Sequence, residues 1–281
     1  MDATVVLVAY RTRRIDCRWI PADRPVIVVH NDDTLRADAV DHDNISHLHP
    51  GANIGFGAAV NLAADQATSE RLILCNPDTT LNRVHWQALN GSPDEVVTIP
   101  LNDRSGRPTS VVSPYWSPLA LFASTLRLRT FLLPVGSRRR KLIAEVTARL
   151  VPRSVLSDES PGGGGSSSWP LCSRWVSGAV MSIDRERFLA VGGFDQRYFL
   201  YYEDADLCHR LAERFPDMTA HRTEVAPGLH LVGGSADGPG TSSLVERLRR
   251  RSAITYGAAR TGWGWLPFRT IDALLPHPPR P

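Results

Sequence analysis

Lysine is nearly absent from this sequence, and so is any strong net charge. Of the 32 basic residues, Lys141 is the only lysine, and the formal net charge is +3. A nucleic-acid-binding domain typically carries a strongly basic face with exposed aromatic residues among the charges. The basic clusters at 138–141 and 247–251 lack such aromatic residues. We therefore expect no nucleic-acid partner.

Closely spaced cysteines and long apolar runs are also missing. The cysteines lie far apart in the sequence and form no metal-ligand spacing: Cys17, Cys75, Cys172 and Cys208. No stretch approaches the roughly 20 uncharged apolar residues that a membrane-spanning helix needs. The apolar run at 5–9 is too short for a signal peptide. We therefore expect a cytoplasmic protein in a reducing compartment.

The segment 117–141 is the part of the sequence that could touch a membrane. It is apolar up to residue 133, interrupted only by Arg127 and Arg129 as charged residues, and the basic cluster 138–141 follows. Such a segment can lie in a membrane interface, with its arginines drawn to anionic lipid. It can equally form a buried helical hairpin whose arginines extend to solvent. Peripheral contact with the inner face of the plasma membrane is one of these two alternatives.

Short apolar runs alternate with helical patterns along the rest of the chain. Five runs have the length and composition of buried parallel strands: 4–9, 26–29, 45–48, 71–75 and 96–99. A strand-like segment at 174–183 and a last strand near 225–231 follow. This order predicts an α/β fold, a single Rossmann-like domain with a mostly parallel central sheet, and a helical extension at the C terminus.

Three carboxylates lie within four positions: Glu203, Asp204 and Asp206, directly after the aromatic pair 201–202. Carboxylates this close repel one another, so folding them together needs a cation, a helix N-terminus or a shared proton. One interpretation is helix capping, because the pattern at 207–215 predicts a helix that begins near Glu203. The other interpretation is a catalytic site.

Polar residues follow three of the predicted strands. The first strand ends at 10–11, the second at 30–33 and the fourth at 76–79. The carboxyl ends of parallel strands share one edge of the sheet, where ligands bind. The turn at 53–57 brings a glycine-bordered helix N-terminus to the same edge, which suits a phosphate. Its two glycines can also simply permit a tight turn.

Asp78 is the candidate metal ligand at this edge. It follows a proline after a buried strand, which holds its carboxylate outward. It could merely cap the next helix. As a functional group it would hold Mg²⁺ or Mn²⁺ against a diphosphate, since hard cations take carboxylate oxygens and substrate phosphates as ligands. His230, at the end of the last strand, is either a second ligand or a structural histidine.

The order of the motifs resembles that of family 2 glycosyltransferases. The likeness is strongest to the bacterial rhamnosyltransferase branch, which includes enzymes that add rhamnose to a lipid-linked GlcNAc. The matching motifs are VVLVAY at 5–10, NIGF at 53–56 with Asn61, NPDT at 76–79, GGFD at 192–195 and YEDADL at 202–207. The resemblance covers residues 3–100 and 172–262.

This resemblance implies a GT-A fold, a nucleotide-diphosphate sugar donor, a divalent metal and inversion at the anomeric carbon. Asp78 stands at the family's metal-and-diphosphate carboxylate, and Asp204 at its general base. On the donor side we assign Ala9, Tyr10, Arg11, His30, Asn53, Gly55, Phe56, Asn61, Asn76, Pro77 and Asp78. On the acceptor side we assign Trp175, Gly178, Ala179 and Glu203.

The same resemblance divides the chain into four parts. Residues 1–100 form a nucleotide-sugar-binding half, and 172–235 form the acceptor and catalytic half. Between them, 101–171 is a variable insert in which the glycine- and serine-rich stretch 162–168 is typical of a flexible loop. Residues 236–281 are a C-terminal helical extension and tail.

Two positions depart from the family's pattern. His30 stands where the family usually has an aspartate that contacts the nucleobase, and Arg11 replaces the usual asparagine. Both departures leave the identity of the nucleobase open. Asp32 and Asp33 are the candidates to replace the missing aspartate.

We therefore expect an inverting glycosyltransferase of cell-envelope polysaccharide synthesis, with dTDP-rhamnose as donor and a glycan or lipid-linked acceptor. Asp204 would take the acceptor proton. Glu203 and Asp206 would raise the energy of the Asp204 anion, although Asp206 is also spaced to form a helix ion pair with Arg210. The alternatives are a UDP- or GDP-sugar donor, or a catalytically weak nucleotide-binding pseudoenzyme.

Overall fold

A computed structural model describes most of the chain. The described residues are 2–12, 14–32, 38–40, 44–122, 125, 166–231, 241–260 and 262–274. Of the predicted membrane segment 117–141, only 117–122 and 125 are described, so the interpretation of the rest lies outside these residues. Asp33, the basic cluster 138–141 and the glycines at 162–165 lie outside them as well.

The strands and helices follow one another along the chain with short connections. The strands are β1 (Ala3–Ala9), β2 (Arg14–Asp16), β3 (Val26–His30), β4 (Asp38–Val40), β5 (Ile45–Leu48), β6 (Arg71–Cys75), β7 (Thr79–Thr80), β8 (Glu95–Thr98), β9 (Leu101–Asn102), β10 (Pro108–Thr109), β11 (Val112–Pro114), β12 (Ser167–Pro170), β13 (Arg174–Val176), β14 (Val180–Asp184), β15 (Thr219–Arg222) and β16 (Gly228–His230). The helices are α1 (Phe56–Gln66), α2 (Arg83–Ala88), α3 (Arg185–Ala190), α4 (Glu203–Arg214), α5 (Thr241–Ala258) and α6 (Leu266–Leu274), with a 3-10 turn at Trp263–Trp265.

An eight-stranded sheet forms the centre of the fold, in the order β12-β15-β8-β14-β6-β1-β3-β5. The strands β5, β3, β1 and β6 are parallel, and β8 is parallel to β15. Strand β14 runs antiparallel to both of its neighbours, β6 and β8. The predicted α/β fold with a mostly parallel central sheet is confirmed.

The sheet has this architecture because its inner strands are continuous apolar runs. Every residue of β3 and β6 is buried, as are six of the seven residues of β1. A strand covered on both faces needs apolar side chains at every position. The alanines of α1 let that helix pack closely on this surface, with Ala59, Ala63 and Ala64 fully buried.

Two details of the sequence interpretation are wrong. The segment 174–183 forms two strands, β13 and β14, because the turn Ser177-Gly178-Ala179 lies between them and β13 pairs with β11 instead of joining the central sheet. The stretch 162–168 does not stay a loop to its end. Ser167 and Ser168 belong to β12, where they pair with Arg222 and His221 of β15.

A buried ionic network joins α4 to the C-terminal helices. Asp206 is 2% exposed, and its two carboxylate oxygens accept hydrogen bonds from Arg210 at 2.7 Å and Arg260 at 2.8 Å. The hydroxyl of Tyr198 donates to the same carboxylate at 3.2 Å. The predicted Asp206–Arg210 pair is confirmed. Arg260 follows α5 and is 54 residues from Asp206 in sequence, so no local sequence pattern predicts their contact.

The described helices include none that is both long and apolar enough to cross a membrane.

Removing Arg260 should therefore destabilise the protein more than removing an exposed arginine. In Arg260→Met, Asp206 stays buried and keeps only Arg210 and Tyr198 as partners. Breaking one side of a buried pair leaves an undercompensated charge, which costs about 3 kcal/mol of unfolding free energy. Urea denaturation measures this loss.

The matched control is Arg197→Met. Arg197 pairs with Asp195 through a side chain that is 59% exposed, so solvent screens the pair. We expect this substitution to cost no more than about 1 kcal/mol. Equal losses for the two variants would contradict a special role for the buried network.

Candidate active site

The antiparallel strand β14 brings the two candidate catalytic regions together. Its register places Val180 opposite Cys75, the last residue of β6. The turn before β14 therefore lies beside the residue after β6. The backbone N–H of Asn76 donates to the carbonyl oxygen of Ala179 at 2.9 Å. This contact joins the 76–79 motif to the Gly178–Ala179 turn.

Asp78 and His230 form a close pair at this edge. The Asp78 Oδ1 and the His230 Nε2 are 3.3 Å apart, and the side chain of Asp78 is 25% exposed. The Asn76 amide nitrogen also lies 3.2 Å from the His230 Nε2. The pair forms because β16 runs antiparallel to β7, with His230 opposite Thr79. The carboxylate of Asp78 and the imidazole of His230 thus lie side by side at a partly exposed position.

Asp78 is not the cap of the following helix. The N-cap of α2 is Asn82, whose side-chain oxygen accepts hydrogen bonds from the backbone N–H groups of Val84 and His85. The capping alternative for Asp78 is therefore excluded. The backbone carbonyl of Asp78 accepts a hydrogen bond from the Leu231 N–H at 3.0 Å, which ties the 76–79 motif to the end of β16.

Asp204 lies in the first turn of α4 and faces the Gly178 turn. The Gly178 N–H donates to Asp204 Oδ2 at 3.2 Å, and the Ala205 N–H donates to Oδ1 at 2.8 Å. Burial raises the pKa of Asp204 to about 6, against the opposing effect of these two hydrogen bonds. A carboxylate with this pKa is ionised at neutral pH and is a stronger base than an ordinary aspartate.

Glu203 is buried beside Asp204, with 6% exposure. Burial, and then the charge of Asp204, raise the pKa of Glu203 well above its usual value, which favours the protonated form of this side chain. Its Oε2 has no hydrogen-bond partner within the described ranges. Burial, and not the charge of Asp206 as expected, raises the pKa of Asp204. Arg210 and Arg260 compensate the charge of Asp206.

The donor-side residues at the end of β1 form a tight corner. Ala9 is buried, and Tyr10 and Arg11 follow it at the surface. Arg11 has a φ of +53°, in the left-handed region. Its backbone N–H donates to Asp32 Oδ2 at 3.1 Å, so the carboxylate of Asp32 lies at the corner beside β1.

His30 is covered by two other histidines. It is 3% exposed, its Nε2 lies 2.8 Å from the His47 Nδ1, and its ring stacks on His49 with 4.4 Å between centroids. Burial, helped by the two neighbouring imidazoles, lowers the pKa of His30 to about 4. His30 is therefore a neutral, covered side chain, and Asp32 is the acidic group that the structure places next to this strand end.

Packing explains the glycines of the 53–57 turn. Gly55 has a φ of +89°, and a Cβ there would lie 2.6 Å from the carbonyl oxygen of Phe199. The Phe56 N–H already donates to that oxygen at 3.1 Å. A Cβ on Gly57 would lie 2.7 Å from the Phe194 Cβ. The close approach of the 194–199 loop therefore accounts for both glycines without a phosphate.

Two buried amides hold this turn and its neighbour in place. The side chain of Asn61 donates to the Phe194 carbonyl and accepts from the Phe194 N–H, both at 2.8 Å. Asn31 accepts from the Ile54 N–H at 2.8 Å and donates to the carbonyl of Gly55 at 3.2 Å. Sequence reasoning assigned Asn61 to the donor side and named Asn31 within the polar cluster 30–33 without giving it a role of its own. A buried asparagine directly after a strand was the available signal.

Beside Asp204, the acceptor-side residues include an aromatic cluster. Trp116 lies 5.2 Å from Trp175 and 4.8 Å from Tyr202, between ring centroids. Tyr256 of α5 completes the cluster, 5.6 Å from Tyr202. Phe56 lies against Gly178, 3.3 Å from the position of an added Cβ. Trp116 and Tyr256 were not predicted, because they come from segments that carry no motif.

The residues at the edge fit a metal that relies on its substrate for most ligands. Across the described ranges there is no group of three or more histidine, cysteine, aspartate or glutamate side chains that could hold a metal ion. Asp78 and His230 supply one oxygen and one nitrogen. Mg²⁺ at phosphate sites is bound by one or two protein ligands and completed by substrate phosphates and water.

The chain matches known proteins over parts of its length. A sequence family described as the N-terminal domain of galactosyltransferase matches residues 166–231. The chain is 30% identical over 218 residues to the N-acetylglucosaminyl-diphospho-decaprenol L-rhamnosyltransferase of Mycobacterium tuberculosis. The aligned region covers 69% of this chain and 63% of that protein. The chain thus spans less than two thirds of the length of this relative.

Two further similarities are shorter or more distant. The chain is 38% identical over 58 residues to the rhamnosyltransferase WbbL of Escherichia coli K12. This aligned region covers 21% of this chain and 20% of that protein. The crystal structure of GalNAc-T7 with UDP, GalNAc and Mn²⁺ superposes with a TM-score of 0.52 at 12% identity, covering 99% of this chain and 52% of that one. Likeness at this identity shows the fold alone.

Together, these comparisons show that the chain has a GT-A fold and is similar, over parts of its length, to a galactosyltransferase domain family and to two bacterial rhamnosyltransferases.

Proposed function

We propose that the protein is an inverting glycosyltransferase of cell-envelope polysaccharide synthesis that moves rhamnose from dTDP-rhamnose to a lipid-linked, GlcNAc-containing acceptor. The sugar and the acceptor are proposed from the names of the relatives. The observation that carries the proposal is a short path between two carboxylates. Asp78 lies two residues after Asn76, Asn76 bonds to Ala179, and the adjacent Gly178 bonds to Asp204.

Asp78 and His230 are proposed to hold a divalent ion, Mg²⁺ or Mn²⁺, together with the diphosphate of the donor. When bound, the ion stabilises the negative charge that develops on the leaving diphosphate. That leaving group carries its own charge, so the reaction needs no protein acid on this side. The carboxylate of Asp78 is 25% exposed and lies 3.3 Å from the His230 Nε2, so the two side chains could contact the same ion.

Asp204 is proposed as the general base. The acceptor hydroxyl oxygen forms a bond to the anomeric carbon as the bond to the diphosphate breaks on the opposite face, and Asp204 takes the hydroxyl proton. The N–H groups of Gly178 and Ala205 fix the carboxylate in place. Burial and the charge of Asp204 raise the pKa of the adjacent Glu203, which disfavours a second negative charge at the site.

A UDP-sugar donor is the second candidate. The match of residues 166–231 to a family described by galactosyltransferase favours it. Thermal-shift measurements with dTDP-rhamnose, UDP-galactose and GDP-mannose, each with Mn²⁺, distinguish the donors. The largest stabilisation by the UDP-sugar would replace rhamnose in the proposal and leave the roles of Asp78 and Asp204 intact.

Asp204→Asn should abolish transfer while leaving donor binding nearly intact. The amide cannot take a proton, and loss of a general base typically costs about 10²–10⁴-fold in rate. Transfer of radiolabelled sugar measures the rate, and calorimetry measures donor binding. The control Glu213→Gln removes an exposed carboxylate from the other end of the same helix and should retain the wild-type rate.

The pH profile gives the second readout for Asp204. The base works only when ionised, and its pKa is raised to about 6. Transfer should therefore fall as the pH drops through about 6, at a higher pH than an ordinary aspartate would give. A profile that is flat down to pH 4, or donor binding lost in step with transfer, would contradict the assignment.

Asp78→Ala should weaken nucleotide binding only when a divalent ion is present. The substitution removes the proposed oxygen ligand, so affinity for the donor with Mn²⁺ should fall at least about tenfold, which corresponds to about 1.4 kcal/mol. Calorimetry with and without Mn²⁺ measures the difference. Asp65→Ala, at an exposed position of α1, is the control. An unchanged dependence of affinity on Mn²⁺ would refute the role of Asp78.

A further inference from the structure

Exposed apolar side chains are concentrated in the C-terminal helices and the segment that packs on them. Eight large apolar side chains are exposed within the described ranges, and five of these lie at 119–122 and 263–274. We call these five the apolar patch: Leu119, Phe122, Trp263, Leu266 and Leu274. Trp263 is 90% exposed and Leu274 is 77% exposed. Clustered exposure of this kind marks a binding surface more often than a scattered one does.

Direct contacts place the two segments on one surface. Pro118 lies against Gly264, where an added Cβ would be 3.0 Å from the proline Cγ. The ring of Phe122 meets the ring of Phe268 edge-on, with 6.2 Å between centroids. The residues before and after these contacts, Leu119 and Trp263 among them, therefore belong to the same side of the molecule.

Helix α6 carries apolar side chains on two faces. Phe268 is 2% exposed and packs into the aromatic core beneath the helix. Leu266 and Leu274 are spaced by eight residues, so they share a face of the helix. Both are exposed, at 48% and 77%. The inner face explains how α6 is held on the protein, and among the described residues no side chain covers Leu266 and Leu274 on the outer face.

The helices that carry most of the patch are basic, although Arg260 is buried and bound to Asp206. Across residues 241–260 and 262–274 there are six arginines against two carboxylates, Glu246 and Asp272. Asp272 is paired with Arg251 at 3.0 Å. Arg269 is exposed and lies three residues after Leu266 in α6. An apolar face that carries an exposed tryptophan and an exposed arginine on a basic pair of helices matches the headgroup region of an anionic bilayer.

We propose that the apolar patch is a peripheral membrane-docking surface that inserts into the headgroup region of an anionic bilayer. Choosing a membrane over a protein partner rests on the proposed function, because a lipid-linked acceptor has to be reached at a membrane surface. The patch is distinct from most of the segment 117–141, since it is built mainly from the C-terminal extension and shares only residues 119–122 with it.

The extension that bears the patch is fixed to the catalytic helix. Arg260, between α5 and α6, pairs with Asp206 of α4 at 2.8 Å. The rings of Tyr256 in α5 and Tyr202 at the start of α4 lie 5.6 Å apart between centroids. Docking through the patch therefore holds Asp204 in a constant orientation relative to the bilayer.

Flotation of the full chain with lipid vesicles tests the surface. The assay contains no donor or acceptor, and compares phosphatidylcholine vesicles with an equimolar mixture of phosphatidylcholine and phosphatidylglycerol. We expect the protein to float with the anionic vesicles and less with the neutral ones. The double variant Trp263→Ser with Leu266→Ser should lower the partition coefficient at least about tenfold.

Two single variants distinguish vesicle binding through the patch from nonspecific binding of other exposed apolar side chains. Val84 is 55% exposed on α2, outside the patch, so Val84→Ser should float like the wild type. Arg269→Gln should weaken flotation with anionic vesicles only, and added salt should reproduce that effect. Equal flotation of the wild type and the double variant would overturn the proposal. If the wild type does not float but forms a dimer, and the double variant is a monomer, the patch would instead be a contact between two copies of the chain.

Enzyme assays keep this proposal separate from the proposed function. With a water-soluble short-chain acceptor, the double variant should transfer sugar at the wild-type rate, because the patch touches none of the reacting groups. Flotation without any transfer activity would remove the proposed function and leave the surface in place. Transfer activity without flotation would remove the surface alone.

Discussion

The active-site proposal depends on one antiparallel strand inserted into a mostly parallel sheet. Because β14 lies between β6 and β8 with Val180 opposite Cys75, the turn before it meets the residues after β6. In this arrangement the Asn76 N–H donates to the Ala179 carbonyl, and the Gly178 N–H donates to the carboxylate of Asp204. A shift of one residue would turn the buried side chains of β14 to the opposite face of the sheet. Core packing therefore fixes the relative positions of Asp78 and Asp204.

An ionic network holds α4, the helix that carries the proposed base Asp204. Asp206 is bound by Arg210 and Arg260, while Asp204, two positions earlier, accepts backbone hydrogen bonds from Gly178 and Ala205 and has a pKa raised to about 6. Adjacent carboxylates thus have different states because their surroundings differ. Glu203 is buried and has a raised pKa, Asp204 is the proposed base, and Asp206 is bound by two arginines and a tyrosine. The acidic cluster that repulsion would destabilise is divided into three separate environments.

Much of the fold could be predicted from sequence, because buried parallel strands leave continuous apolar runs. The strand-end argument also placed Asp78 and His230 at one edge of the sheet, whereas Asp204 was assigned from the family resemblance. What could not be predicted depends on distant contacts. Arg260 reaches Asp206 over 54 residues, and Trp116 joins Trp175 from a region without a motif. The glycines of the 53–57 turn look like a phosphate loop in sequence, whereas the approach of the 194–199 loop accounts for them.

A crystal structure of the protein with dTDP and Mn²⁺ tests the central claim most directly. The account predicts the ion within about 2.5 Å of an Asp78 oxygen and the His230 Nε2, with the remaining ligands from the diphosphate and water. It also predicts an open space for a sugar ring between the diphosphate and Asp204. A nucleotide bound elsewhere, or a diphosphate on a side of the sheet that Asp204 does not face, would contradict the account.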